Sequence, residues 1–287
     1  MSIDVNRSTE GIVLPKEVSR EVLANTQKES AIMQLARRVK LPGSGIEVPI
    51  ITSDPRPEWV AETEDSPVST PGFSSKTMRG YTVSVIVPMS NQFRRDLPAL
   101  HDEIVKRIPA LLGARFDESV FSDGDVPGSD FDSLGSIASR VYAWGNWWET
   151  LVSSKHLISS SGARLNGWAF SATGESVLLT ETDNNGRPLF INSTNADGAV
   201  PAILGASTHI TDGVESAGSS VLGYAGDWRQ AVYGVVDGVK VDVSDQATLV
   251  TDNGTINLWQ KRMFAVMVTA EFGFRVKGDG GFVQIRL

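Results

Sequence analysis

The residues that could do chemistry are few and poorly spaced for it. The chain has three histidines, His101, His156 and His209. None has the paired spacing that puts two ligands on one helix face, and none stands beside a second cluster of ligand-type residues. There is no cysteine, which removes thiol catalysis, disulfides and zinc–thiolate sites together. No Gly-Lys dipeptide occurs, so a phosphate-cradling loop with its lysine is missing. No G-x-S-x-G elbow occurs. "GSGIEV" at 43–48 leads into a strand pattern rather than a helix, unlike a dinucleotide fingerprint. "DNNG" at 183–186 lacks the further acidic positions and closing glutamate of a calcium loop and reads as a turn. Glu58, Glu62, Glu64 and Asp65 could in principle supply a general acid and base, but such a pair needs a rigid pocket. These four lie in a proline-broken stretch. The expectation is a protein that is not an enzyme, with no metal and no cofactor.

The elements that would have to position any site are mixed. "LPKEVSREVLANTQKE" from Leu14 has Pro15 at a helix start and Val18, Val22 and Leu23 at helical spacing. Ser30, Ile32, Met33, Leu35 and Ala36 suggest a second short helix, stopped by Pro42, Gly43 and Gly45. From Ile46 the period changes to two: Ile46, Val48 and Ile50 form one face. Tyr81, Val83, Val85 and Val87 repeat the pattern, and the two runs are expected to pair as antiparallel strands of one long hairpin. The strongest helical pattern follows. Leu97, Leu100, Ile104, Ile108, Leu111, Leu112, Ala114 and Phe116 fall at three and four spacing, with Asp96 as cap and Pro98 in the first turn. Pro109 in its interior predicts a kink or two helices in sequence. The stretch 136–159 reads helical, with Trp144, Trp147, Trp148 and Leu151 as an aromatic face. "NGWAFS" is a short buried strand, and "SATGESVLLT" a helix. Two or three short strands cover 220–245, and the tail reads as two strands, a Gly-Asp-Gly-Gly turn and a last strand. The class is α+β.

Charge bounds the partners. With 26 Lys+Arg against 34 Asp+Glu the net charge is −8, which repels a phosphate backbone. The only basic candidates are Arg37, Arg38 and the pair Arg94, Arg95, which read as ordinary solvated charges. The lack of cysteine suits a reducing cytoplasm. The start lacks signal-peptide regions, and no window approaches eighteen uninterrupted apolar residues.

The acidic, proline-broken segment 56–80 gives more. With its flanking strands, from Gly45 to Ser90, it would form two arms of about twenty residues, which at about 3.3 Å per residue reach roughly 50–65 Å. A globule of this length is about 50 Å across, so such a hairpin cannot lie wholly within its own core. An isolated two-stranded ribbon is also marginal alone. It is expected to pack on neighbouring subunits, with Trp59, Val60 and Phe73 as sparse anchors in a polar surround that includes Glu62.

The collinear order of these pieces resembles a known family. Helix "LPKEVSREVLANTQKESAIMQLARRVKLPG", strand "IEVPI", acidic "PEWVAETEDSP", strand "YTVSVIVPMSNQFRRD" and a long helix resemble the tailed-bacteriophage major capsid proteins, of Hong Kong phage capsid fold. "NGWAFS", "DNNGRPLF" and "GFRVKGDGGFVQIRL" extend the resemblance over nearly the whole chain. It implies an N-arm at 1–44, an E-loop hairpin at 45–90 and the spine helix of a P-domain at 91–133. It further implies an A-domain at 134–255 with strands returning to the P-domain, and C-terminal strands at 256–287. The implied function is structural: homo-oligomeric pentamers and hexamers closing into an icosahedral virion shell around packaged DNA that is not specifically bound, assembled in the host cytoplasm without a membrane. The implied partners are a separate scaffolding protein and a portal, with a decoration protein as a further one. Because Met1 stands about fifteen residues before the first helix, no cleaved scaffolding segment is expected. Some members of the family crosslink an E-loop lysine to a P-domain asparagine; Lys76 is the sole candidate lysine between Ile46 and Met89. The alternatives are an encapsulin-like compartment shell and a phage tail or adhesin-type binding module.

Overall fold

Ser30 opens the described chain as a helix cap: its hydroxyl accepts from the Met33 amide at 3.1 Å and starts helix α1, Ala31–Leu35. The computed structural model describes residues 30–53, 55, 57–60, 65–66, 68–92, 98–143, 146–182, 202–218, 220–251, 254–278 and 280–287. The helix expected from Pro15, the cap Asp96 and the turn at 183–186 lie outside them. The second short helix is present. The charged residues after it form strand β1, Arg37–Lys40, which the sequence reading had not separated from the helix; Arg37 and Arg38 are exposed along it.

Strands β2 (Ile46–Ser53), β3 (Gly72–Met78) and β4 (Tyr81–Ser90) follow, then helix α2 (Pro98–Phe121). Next come helix α3 (Leu134–Ile137), strand β5 (Ser139–Tyr142), helix α4 (Trp147–Ser160), strand β6 (Gly167–Phe170) and helix α5 (Ala172–Thr180). The chain ends through β7 (Ala202–Ile203), β8 (Ala206–Ile210), a 3-10 turn (Asp212–Ala217), β9 (Val221–Gly226), β10 (Ala231–Ser244), β11 (Thr248–Thr251), β12 (Gly254–Asn257), β13 (Met263–Val276) and β14 (Phe282–Arg286).

Two larger sheets carry the body. One has four strands in the order β1-β10-β13-β4; the other has six, β5-β14-β9-β6-β8-β7. Helix α2 covers the first. Ile108, Leu112, Phe116 and Val120 recur every fourth residue and are all buried, the stripe a helix lays on a sheet. Phe116 sits 5.2 Å, ring to ring, from Phe272 of β13, with Phe131 edge-on at 6.2 Å. Leu111 falls off that stripe and is exposed. The helix is one element through Pro109, not two in sequence. At its end the Tyr224 hydroxyl of β9 donates to the Phe121 carbonyl at 2.8 Å, and Gln284 of β14 donates to that hydroxyl. This buried chain ties the end of α2 to the six-stranded sheet, and burial pushes the Tyr224 phenol well above its usual range.

The pairing of the first long strands differs from expectation. β2 does not pair with β4. It pairs with β3, from Ile46 opposite Met78 to Ser53 opposite Gly72. β4 joins the four-stranded sheet instead, with Val83 opposite Ala270, Val85 opposite Val268 and Val87 opposite Val266 of β13. The reason is burial: those three valines pack against the core under α2, whereas pairing with β2 would leave them in the exposed hairpin. Other boundaries also move. The supposed helix over 136–159 is interrupted by β5, whose Val141 packs into the second core beside β14. Strand β10 is a single strand of 14 residues, and so is β13, where two strands were expected. The last strand, β14, enters the six-stranded sheet between β5 and β9 rather than staying with β13.

The second core gathers Trp147, Leu151 and Ile158 of α4, Trp168 and Phe170 of β6, Leu222, Val283 and Ile285. Trp148, on the other side of α4, is exposed. Strand β6 is buried throughout, and Ser171 caps α5 by accepting from the Gly174 amide at 3.0 Å, as "NGWAFS" and "SATGESVLLT" anticipate.

Candidate assembly interface

The β2–β3 hairpin is short in its paired part, 8 residues against 7. At about 3.3 Å per residue the longer arm spans roughly 26 Å, less than the arms expected from the sequence. Its strand β3 reads "GFSSKTM", too polar to stand out by periodicity, which is why the segment containing it reads as a loop tip.

The residues expected to touch neighbours are distributed along this hairpin and beyond it. Trp59 is fully exposed and Val60 partly so. Phe73 is 72 % exposed on β3, opposite Ile51. Val68, which the sequence reading passed over, is 95 % exposed. Glu62 lies outside the described residues. A Trp or Phe side chain buries about 150–250 Å², and at about 25 cal/mol per Å² each such anchor represents up to about 4–6 kcal/mol of burial not realised within the chain. A second exposed group, Val250 on β11 and Trp259 after β12, also escaped the sequence reading; a hairpin turn carries no motif beyond its Gly and Asn residues.

Lys76 stands apart from these anchors. It lies toward the base of β3, opposite Val48. Its ammonium donates to the Val276 carbonyl at 3.1 Å and stands 3.7 Å from Asp132 Oδ2. The structure thus places it against its own body, not beside the exposed aromatics.

Among the described residues, the carboxylate whose titration moves furthest lies on the long helix. Asp117, on α2, is fully buried. Its oxygens accept from the Ser30 hydroxyl, the Ala31 amide at 2.8 Å, the Ile32 amide at 3.4 Å and the Thr211 hydroxyl at 3.1 Å. Desolvation pushes its pKa up to about 6, and the Ser30, Ala31, Thr211 and Ile32 hydrogen bonds oppose that rise. Gly213 makes room for it: a Cβ there would stand 2.6 Å from the Asp117 Cβ. Four donors from α1 and the 3-10 turn surround this carboxylate. It ties three segments together and is occupied in doing so. On β8, burial lowers the pKa of His209. Among the described residues no group of three or more His, Asp or Glu side chains could hold a metal ion.

The α+β body thus combines two larger sheets, a long covering helix and a hairpin with exposed apolar side chains. The family model described as the phage capsid family matches residues 10–286. The chain belongs to the phage capsid family. A relative described as "Probable major capsid protein gp17", from Mycobacterium phage L5, is 28 % identical across 96 % of this chain and 89 % of its own length. Among solved structures, a chain from Mycobacterium phage Adephagia superposes with a TM-score of 0.73 at 19 % identity, covering 90 % of this chain and 89 % of that one. A chain described as "Capsid of empty GTA particle computed with C5 symmetry" superposes with a TM-score of 0.67 at 14 % identity, covering 90 % of each. At such identities the likeness carries the fold, and the fold is the α+β capsid architecture that the order of motifs implied.

Proposed function

We propose that this chain is the major capsid protein of a tailed phage, a structural protein without a reaction of its own. Many copies, arranged as pentamers and hexamers, close into an icosahedral shell around packaged DNA. The observation that carries this reading is the β2–β3 hairpin and its extension, which present Trp59, Val68 and Phe73 to solvent on an arm whose partners must be other copies. Repeated heterologous contacts of that kind close into shells when the rotation permits. The net charge of −8 suits a wall that encloses DNA without gripping it. The shell is assembled in the host cytoplasm with a separate scaffolding protein and a portal, and a decoration protein is compatible with its outer surface.

Negative-stain electron microscopy of the purified chain, alone and co-expressed with candidate scaffolding partners, tests the reading. Uniform closed shells or rings of five or six are expected, and particles recovered from infected cells should contain DNA. A chain that stays monomeric in every condition overturns the proposal, and particles filled with protein cargo turn it into a compartment shell. The engagement of Lys76 with Asp132 and Val276 in its own chain supports shells held without covalent links. Purified particles boiled in detergent should run as single chains; a ladder of higher bands would make Lys76 a crosslinking residue.

A further inference from the structure

The hairpin joins the body through two short connections, 41–45 before β2 and Arg79–Gly80 after β3. Such a ribbon pivots freely unless its base is fixed, and the structure shows two devices that fix it. The first is a seat without side chains. Gly234 of β10 and Gly273 of β13 are cross-strand partners, and neither has a positive φ, so space rather than backbone freedom is what glycine supplies. A Cβ on Gly234 would lie 2.3 Å from the Leu41 side chain. One on Gly273 would lie 2.5 Å from the Arg79 carbonyl oxygen and 3.0 Å from Met78. Leu41 and Met78 settle there with Val48 and Val232 in a small core of their own.

The second device is ionic. Arg275, two residues beyond Gly273 and on the same face of β13, is buried. Its guanidinium donates to the Thr77 carbonyl of β3 at 2.8 Å, Asp132 Oδ1 at 2.6 Å, and the Ser129 carbonyl and Asp130 Oδ1 at 3.1 Å each. Arg79 reaches Asp130 Oδ2 at 3.3 Å and Lys76 reaches Asp132 at 3.7 Å. The Val276 amide donates to Asp132 as well, at 2.9 Å. The two carboxylates of one loop therefore hold two cations at the hairpin's base and one on the sheet beneath it. A planar, multidentate guanidinium fixes direction as well as distance.

We propose that the Gly234–Gly273 seat and the Arg275–Asp130–Asp132 cluster set the angle at which the hairpin leaves the body, with Arg275 as a positioning residue that determines where Trp59 and Phe73 are delivered. The consequence for shell contacts rests on the assembly reading above; the angle itself does not. The absence of cysteine makes the test clean. Cysteines introduced by Ser74→Cys on the hairpin and Ser159→Cys on α4, both exposed positions, carry spin labels in the full chain, and pulsed dipolar spectroscopy reads the distance between them. The parent is expected to give one narrow distribution. Gly273→Ala should shift its centre, Arg275→Met should broaden it at least twofold, and Asp130→Asn should broaden it less. Circular dichroism shows which variants fold, and if Arg275→Met does not, Gly273→Ala and Asp130→Asn decide. Distributions unchanged in centre and width in folded variants overturn the proposal. A shifted distance in a chain that never forms particles would instead sustain the positioning role and remove the assembly reading.

Discussion

The helix-backed sheet and the β2–β3 hairpin treat similar side chains in opposite ways. Under α2, Phe116 is packed by Phe272, Phe274 and Phe131; on the hairpin, Phe73 faces solvent opposite Ile51. The core under α2 buries Phe116 within one chain, and the hairpin leaves Phe73 exposed. A two-stranded ribbon is marginal alone, and this one leaves Phe73 in solvent, where the proposed neighbour contact would cover it.

Substitutions in the two regions should therefore separate stability from assembly. The largest effect on stability is expected at Phe116→Ala, about 3–5 kcal/mol from cavity and lost transfer, read by urea unfolding. Asp117→Ala comes next, about 2–4 kcal/mol, because the Ser30, Ala31 and Thr211 donors lose their buried acceptor. Equal stability of this variant and the parent would remove the claim that the carboxylate ties three segments together.

A smaller effect follows from titration of the same group. The folded pKa, about 6, lies above the ordinary 3.8, so the folded state binds the proton more tightly than the unfolded one. This contribution favours folding fully below about pH 4 and is lost as pH rises through 6. Across that window Asp117→Asn should show a flatter stability–pH curve than the parent in denaturant titrations. Parallel curves would mean that the window belongs to other groups. Smallest of all on the fold is Trp59→Ala, which should change unfolding free energy by less than about 0.5 kcal/mol yet reduce shell yield by electron microscopy. A large loss of monomer stability there would mean that the exposed tryptophan already has a partner in its own chain.

Much of the body was legible before any coordinates. The fourfold spacing through Ile108, Leu112 and Phe116, the short helix through Ile32 and Met33, the buried "NGWAFS" and the helix after Ser171 all follow from local rules. The exposure of Trp59, Val60 and Phe73 was readable because large apolar residues in a charged, proline-broken stretch have nowhere local to go. Val68, Val250 and Trp259 were not, since single apolar residues among turns look alike whether covered or exposed. Asp117 was invisible for a different reason: its donors lie more than eighty residues away in sequence.

By itself the sequence determined most of the periodicity, including the long helix and the alternation of β4, and that the class is α+β within the capsid family. Only the tertiary structure decided which strand pairs with which. Alternation in "YTVSVIVPMS" says that Val83, Val85 and Val87 share a face, but any neighbouring strand could accept the backbone hydrogen bonds. Burial chose β13, which shares the roof of α2. That choice left β2 to the polar "GFSSKTM", on an arm held at its base by two glycines and a buried arginine.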